Sequence, residues 1–203
     1  MQRMLSQRAR SYLATLRRDP AVPLARVERA LLDRGLAPYP AWLEFHEQYA
    51  GYWEDLGGGS VAVWGLMHEQ VTGVFVEPSQ LYVTADKLGP IYIACADTHP
   101  SFGYNITPEG KFVGPPFPCA SFGIKVERNA LMWEFATSGA AQRAYDLDGV
   151  PIIEQREALL ERLRPFHAPE ASDRFANYYS SPDLLLLEAL EVPTLKLLIR
   201  PRS

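Results

Sequence analysis

Ile91-Tyr-Ile-Ala-Cys-Ala-Asp-Thr-His-Pro-Ser-Phe-Gly-Tyr-Asn-Ile-Thr-Pro-Glu-Gly-Lys-Phe-Val113 reads as strand, turn, strand, turn, strand, with no interval long enough for a helix. Consecutive strands joined by tight turns pair antiparallel. The last hairpin carries its turn in Pro108-Glu109-Gly110, where proline fixes φ early and glycine takes the positive φ at the end. Working back toward the N-terminus, Val61–Gly65, Val71–Val76 and Leu81–Val83 are further β-rich runs bounded by Gly, Pro and Asp. Together with Ile91–Ala96, Phe102–Ile106 and Lys111–Val113 they predict a sheet of about five or six strands. Pro115, Pro116 and Pro118 are expected to end the ladder.

Helices bracket this meander. Leu24, Val27 and Leu31 share a face and Gly35 follows the last turn, which predicts a helix over 24–34. Ala41 to Ala50 resumes helical spacing after Pro38 and Pro40, with Trp42, Phe45 and Tyr49 on one side and Gly51 as the stop. Beyond the sheet, Phe122, Val126, Ala130, Trp133 and Thr137 predict the longest helix, and Ile152 to Arg164 a further one ending at Pro165. Asp183–Leu190 and Thr194–Arg200 read either as helix then strand or as a closing hairpin; the initial alternation of Thr194-Leu-Lys-Leu-Leu-Ile and a turn at Val192-Pro193 favour the hairpin. Near the start, Leu5, Ala9, Tyr12 and Leu16 fall on one helical face, so the arginine-rich opening is expected to be a packed helix rather than a targeting peptide. The fold class is therefore α+β, in one domain over 1–203: an N-terminal helix in 1–20, a core in 21–137, and C-terminal helix and strands in 138–203.

Composition narrows the function classes. The two cysteines of these 203 residues, Cys95 and Cys119, are too few for a disulfide scaffold, which points to a reduced, cytoplasmic setting. No apolar run reaches the ~20 residues of a membrane helix. The formal net charge of −4 conceals an asymmetry: residues 1–34 hold eight arginines against Asp19, Glu28 and Asp33, whereas residues 35–110 hold nine acids against Lys87 alone. A segment so poor in cations is a bad nucleic-acid surface and a good one for a basic protein.

Residues capable of chemistry are present without the pattern that chemistry needs. Cys95, Asp97, His99 and Ser101 lie on one face of an extended strand, but neither a nucleophile turn nor an oxyanion hole accompanies them, and Asp-Thr-His-Pro reads as a turn. His46, His68, His99 and His167 are scattered, and His68-Glu69 lacks the second histidine of a zinc helix, so no metal and no cofactor is expected. Asp146-Leu-Asp-Gly149 has its glycine too early for a calcium loop and reads as a turn. Gly57-Gly-Gly-Ser60 has no lysine and precedes a strand, which makes it a flexible connection and not a phosphate cradle. Trp42, Trp64 and Trp133 are assigned to the core.

Pro40-Ala-Trp-Leu-Glu-Phe-His-Glu-Gln-Tyr-Ala-Gly51, the strand Tyr92-Ile-Ala-Cys-Ala-Asp97, the hairpin Tyr104-Asn-Ile-Thr-Pro-Glu-Gly110 and the helix start Ser121-Phe follow one another in an order that resembles the SMI1/KNR4 (SUKH) superfamily. The similarity spans roughly Leu24 to Phe135, with Ala50-Gly51 where the family pattern has Asn-Gly, and with an added N-terminal helix and an insertion around 138–175. What the resemblance implies is a bacterial immunity protein that binds a cognate polymorphic toxin in the cytoplasm and occludes its active site, without catalysis. The acidic middle segment suits a basic toxin such as a nuclease, and Glu44, Glu47, Glu54, Asp55, Asp97 and Glu109 are the candidate partner contacts. An adaptor or regulator of the same fold is the alternative, and a small hydrolase using Cys95, Asp97 and His99 the third reading.

Overall fold

The computed structural model describes residues 4–57, 59–69, 81, 83–85, 91–94, 96–97, 104–114, 118–137, 143–146, 153–190 and 195–199. Contacts within the chain gather into two compact units, one formed by Leu13–Phe122 and the other by Met1–Tyr12 with Gly123–Ser203.

The first unit begins with the segment leading to helix α2 (Leu24–Asp33) and helix α3 (Pro40–Tyr49), after a first helix α1 (Gln7–Thr15) that straddles the two units. Both periodic predictions hold: Val27 and Leu31 are buried on α2, and Trp42, Phe45, His46 and Tyr49 on α3. The amide of Leu36 reaches back to the Leu31 carbonyl at 2.9 Å past Gly35, closing α2 with the six-to-one bond of a Schellman turn. Proline stands at the first position of α3, where its missing N–H costs nothing.

The strands that follow are β1 (Trp53–Gly57), β2 (Ser60–Val63), β3 (Val83–Ala85), β4 (Ile91–Ala94), β5 (Ala96–Asp97), β6 (Asn105–Ile106) and β7 (Phe112–Val113). All their pairings are antiparallel, as expected, but they do not form one sheet. One sheet has the order β1-β2-β5 and a second the order β3-β4-β6-β7. The run from Ile91 to Asp97 changes partner between Ala94 and Ala96: Ile93 and Ala94 face Ile106 and Asn105, whereas Ala96 and Asp97 face Val63 and Ala62. Ladders of two residues leave such a strand free to serve two sheets, and a reading by consecutive pairing overlooks that. Strand β1 goes beyond the expected strands, and Gly57, in the run read as a flexible connection, faces Ser60 across the β1–β2 pair. The Thr107–Gly110 turn is closed by the Gly110 amide on the Thr107 carbonyl at 2.8 Å, as its proline and glycine foretold. Beyond the prolines the ladder gains one more bridge, Phe112 with Cys119, through two 3.0 Å bonds. The predicted strand Val71–Val76 lies outside the described residues.

An aromatic cluster fills the core of this unit. Phe122 stands at its centre, with ring centroids 4.6 Å from Phe45, 4.9 Å from Trp64, 5.0 Å from Tyr49 and 5.6 Å from Phe112, mostly edge to face. The buried Trp42 indole donates to the Ile106 and Thr107 carbonyls at 3.0 and 2.9 Å, tying α3 to the β6–β7 hairpin.

In the second unit helix α4 (Phe122–Thr137) matches its predicted bounds, and helix α5 (Ile153–Leu163) ends in a short 3-10 turn at Arg164–Phe166. Ser6 caps α1 by accepting the Ala9 amide, and its own amide and hydroxyl both donate to Glu127 of α4. Four strands, β8 (Arg143–Asp146), β9 (Ala176–Ser181), β10 (Leu184–Ala189) and β11 (Leu195–Ile199), form an antiparallel sheet of order β8-β11-β10-β9. The expected closing hairpin is β10 with β11; β8 and β9 were not predicted, and Asp146 ends β8 where a turn was read. Strand β10 is buried on both faces, which is why Leu184 to Leu187 shows no alternation. Leu186, Tyr179 and Leu163 of α5 pack on one face, and Arg128 of α4 lies over the Tyr178 ring on the other.

Candidate functional site

The six acids singled out from the sequence do not share one environment. Glu44 and Glu47 are exposed, one turn apart on α3, and Glu109 is exposed at the tip of the β6–β7 hairpin. The hairpin leans on the first turn of α3, where a Cβ on Gly110 would stand 3.1 Å from that of Ala41. Glu109 has its carboxyl held below the usual range, first by the Thr107 hydroxyl and then by its own amide, so it is ionised throughout the neutral range. Among the described residues, none of these three carboxylates has a cation paired with it.

Glu54 is different. It is only 7% exposed and accepts the Trp64 indole N–H at 2.9 Å. A carboxylate committed to a buried indole holds β1 against β2 and offers no contact to a partner. Asp55 is exposed but accepts the Gly57 amide at 2.8 Å, which makes it part of the hairpin turn. Asp97 belongs to β5, opposite Ala62. Cys95 and His99, the other members of the hydrolase reading, lie outside the described residues.

Three polar constellations went unnoticed in the sequence. Arg128 is buried, donates to the Ala171 carbonyl at 3.0 Å and pairs with Asp173 at 2.7 Å; Asp173 also accepts the Phe175 and Ala176 amides. This clamps the loop leading into β9. Glu188 on β10 accepts from Arg156 at 3.0 Å, Asn177 at 3.0 Å and the Tyr179 hydroxyl at 3.2 Å. Burial, and then the Glu188 charge, push the Tyr179 hydroxyl above its ordinary value. With three donors on its two oxygens, one of them a guanidinium, and only 6% of its surface exposed, Glu188 is a bound carboxylate. The third is a pair of buried histidines, His46 and His68, both held below the ordinary imidazole value chiefly by burial.

The only signal for these groups in the sequence would have been their positions within apolar runs: Glu188 among leucines and alanines, Arg128 between Val126 and Ala130. Among the described residues no cluster of three His, Cys, Asp or Glu could hold a metal ion, and no helix is long and apolar enough to cross a membrane. Compared with known proteins, the chain matches no family model, no curated protein and no solved structure.

Proposed function

We propose that the chain is an SMI1/KNR4-type immunity protein that neutralises a basic toxin domain by docking α3 and the β6–β7 hairpin over its active site. The observation that carries this reading is the division of the acids: Glu44, Glu47 and Glu109 stand exposed and without a paired cation among the described residues, on two elements in contact, whereas Glu54 is buried on the Trp64 indole and Asp55 holds its own turn through the Gly57 amide. Unneutralised carboxylates on adjoining elements raise the encounter rate with a cationic partner and reject acidic ones. The order of elements supports the family reading: α3 opening at Pro40, the β4 strand, the hairpin at 107–110 and the long helix from Phe122. The bland account is that the three acids serve solubility alone.

The test is association with the product of the neighbouring gene. Co-expression should restore growth of cells making that product, and the two chains should copurify. The triple variant Glu44→Lys, Glu47→Lys, Glu109→Lys should slow association by about tenfold or more at low salt and flatten its salt dependence. Loss of copurification for the unaltered chain overturns the immunity reading and favours an adaptor with another cellular partner. Unchanged association of the triple variant removes this face from the account.

A further inference from the structure

We propose that His46 and His68 form an acid-sensitive latch that holds residues 64–69 against α3 and opens locally when the imidazoles take up protons. His46 has both ring nitrogens committed: Nε2–H donates to the Val22 carbonyl at 2.8 Å and Nδ1 accepts the Leu66 amide at 3.1 Å. Protonation at Nδ1 turns an acceptor into a donor that faces another donor, so the Leu66 amide loses its partner. His68 is 5% exposed, and one of its nitrogens bonds the Gly65 carbonyl. Its Nε2 is buried with no hydrogen-bond partner among the described residues. A proton there would add a charge and an N–H with no acceptor. The ring lies close against backbone, since a Cβ on Gly65 would stand 3.1 Å from its Cε1, which leaves no room for a water to solvate the cation from that side.

The charged and titratable groups on the elements that meet here are otherwise engaged. Arg18 donates to the Ala50 and Gln48 carbonyls; Asp19 holds Arg17 and the Trp53 indole; Arg26 pairs with Glu69; Glu54 holds the Trp64 indole; Glu47 is exposed on α3. What acts on the rings is burial first, then for His68 the neighbouring His46, against which only backbone carbonyls pull; no carboxylate offsets them. The residues the latch secures are apolar: Trp64, Leu66 and Met67 are all buried, and Trp64 packs on Phe122. Release would therefore expose the aromatic cluster.

Hydrogen exchange at single-residue resolution on the full chain, corrected for the intrinsic pH dependence of exchange, tests this. With His68 held near 4 in the closed state and at an ordinary 6.5 when open, opening at 64–69 should rise about 25-fold between pH 7.5 and pH 5.0. Amides of β9 and β10 should not follow. In His68→Phe the rise should shrink several-fold. Exchange at 64–69 that does not change with pH, that rises equally in β9 and β10, or that is the same in His68→Phe overturns the latch. Should the variant fail to fold, confinement of the rise to 64–69 in the unaltered chain decides the matter alone.

Discussion

Replacing Gly51 by alanine should cost far more than a helix-terminal glycine ordinarily does. Gly51 ends α3 with φ +87°, and a Cβ built there would lie 2.1 Å from the Asp19 carbonyl oxygen. That oxygen is backbone and has no rotamer to retreat into. It sits in a small ladder: the Asp19 amide donates to the Gly51 carbonyl at 2.9 Å, the Trp53 amide to the Arg17 carbonyl at 2.9 Å, and the Gly51 amide to the Trp64 carbonyl at 2.8 Å. Moving Asp19 outward by the ångström needed to relieve the contact lengthens or breaks two of these. The left-handed backbone costs about 1–2 kcal/mol with a side chain, and each displaced bond about 1 kcal/mol, for a total of about 3–4 kcal/mol. Gly35 is the internal control, because its φ is +72° and nothing lies within 4 Å of its notional Cβ. There the backbone cost is partly offset by the lower entropy of the unfolded alanine chain, which leaves about 1 kcal/mol. Urea unfolding followed by tryptophan fluorescence should place the Gly51→Ala midpoint well below that of Gly35→Ala, by about 1–2 M at the slope usual for a unit of this size. Equal losses in the two variants would refute the steric argument and reduce both sites to the same backbone preference.

Other perturbations follow from the buried charges. Arg128→Met should destabilise by about 3–5 kcal/mol, since it leaves the Asp173 carboxylate buried beside two amides without its cation; adding Asp173→Asn should recover a good part of that in thermal unfolding, and a double variant as unstable as the single one would mean that Arg128 acts through packing alone. At the alkaline end, Tyr179 keeps its proton above the ordinary value of 10, so the folded state binds a proton that the unfolded state releases first. Its contribution is whole below pH 10 and is lost as pH rises through the folded value; stability should fall less steeply above pH 10 in Tyr179→Phe, and identical slopes would show that the shift is not felt by the fold.

Helices were legible because their apolar residues recur at a period no strand can satisfy: Val27 and Leu31 on α2, Phe45 and Tyr49 on α3, and Phe122 through Thr137 on α4 all fall where the spacing put them. The partition of strands was not legible. Nothing in Ile91 to Asp97 marks the change of partner after Ala94, because each ladder involved is only two or three residues long and the alternation runs on unbroken. Strand β1 was hidden by Glu54 and Asp55, which look like loop residues until the Trp64 indole is placed against the first of them. Strand β9 carries a fair signal in Tyr178 and Tyr179, followed by Pro182-Asp183 and four leucines, but it lies between the segment read as an insertion and the closing hairpin and belongs to neither expectation. A census of charge treats all nine acids of the middle segment alike. Only burial separates Glu54, which supports the fold, from Glu44, Glu47 and Glu109, which remain able to meet a partner.

The buried charges of the second unit make sense as devices for register. Along β10, Leu184, Leu186 and Glu188 point to the face that carries α5, while Leu185, Leu187 and Ala189 point to the opposite one, and both sets are largely buried. A strand apolar on both faces has little to prevent a slip by one residue, since each leucine would find another leucine's place. Glu188 removes that degeneracy. In register it meets Asn177 directly across the ladder, with Tyr179 and Arg156 completing its shell. One residue out of register, it would enter the apolar layer of Leu185, Leu187 and Ala189 with no donor, at the several kcal/mol that an uncompensated buried carboxylate costs. Arg128 does the same from the other face: its guanidinium reaches over Tyr178 to Asp173, and Tyr178 is turned that way only while Tyr179 faces Glu188. Two adjacent tyrosines thus report to two charges on opposite sides of one sheet: a shift of β10 would strand Glu188, and a shift of β9 would disturb both sets of contacts at once.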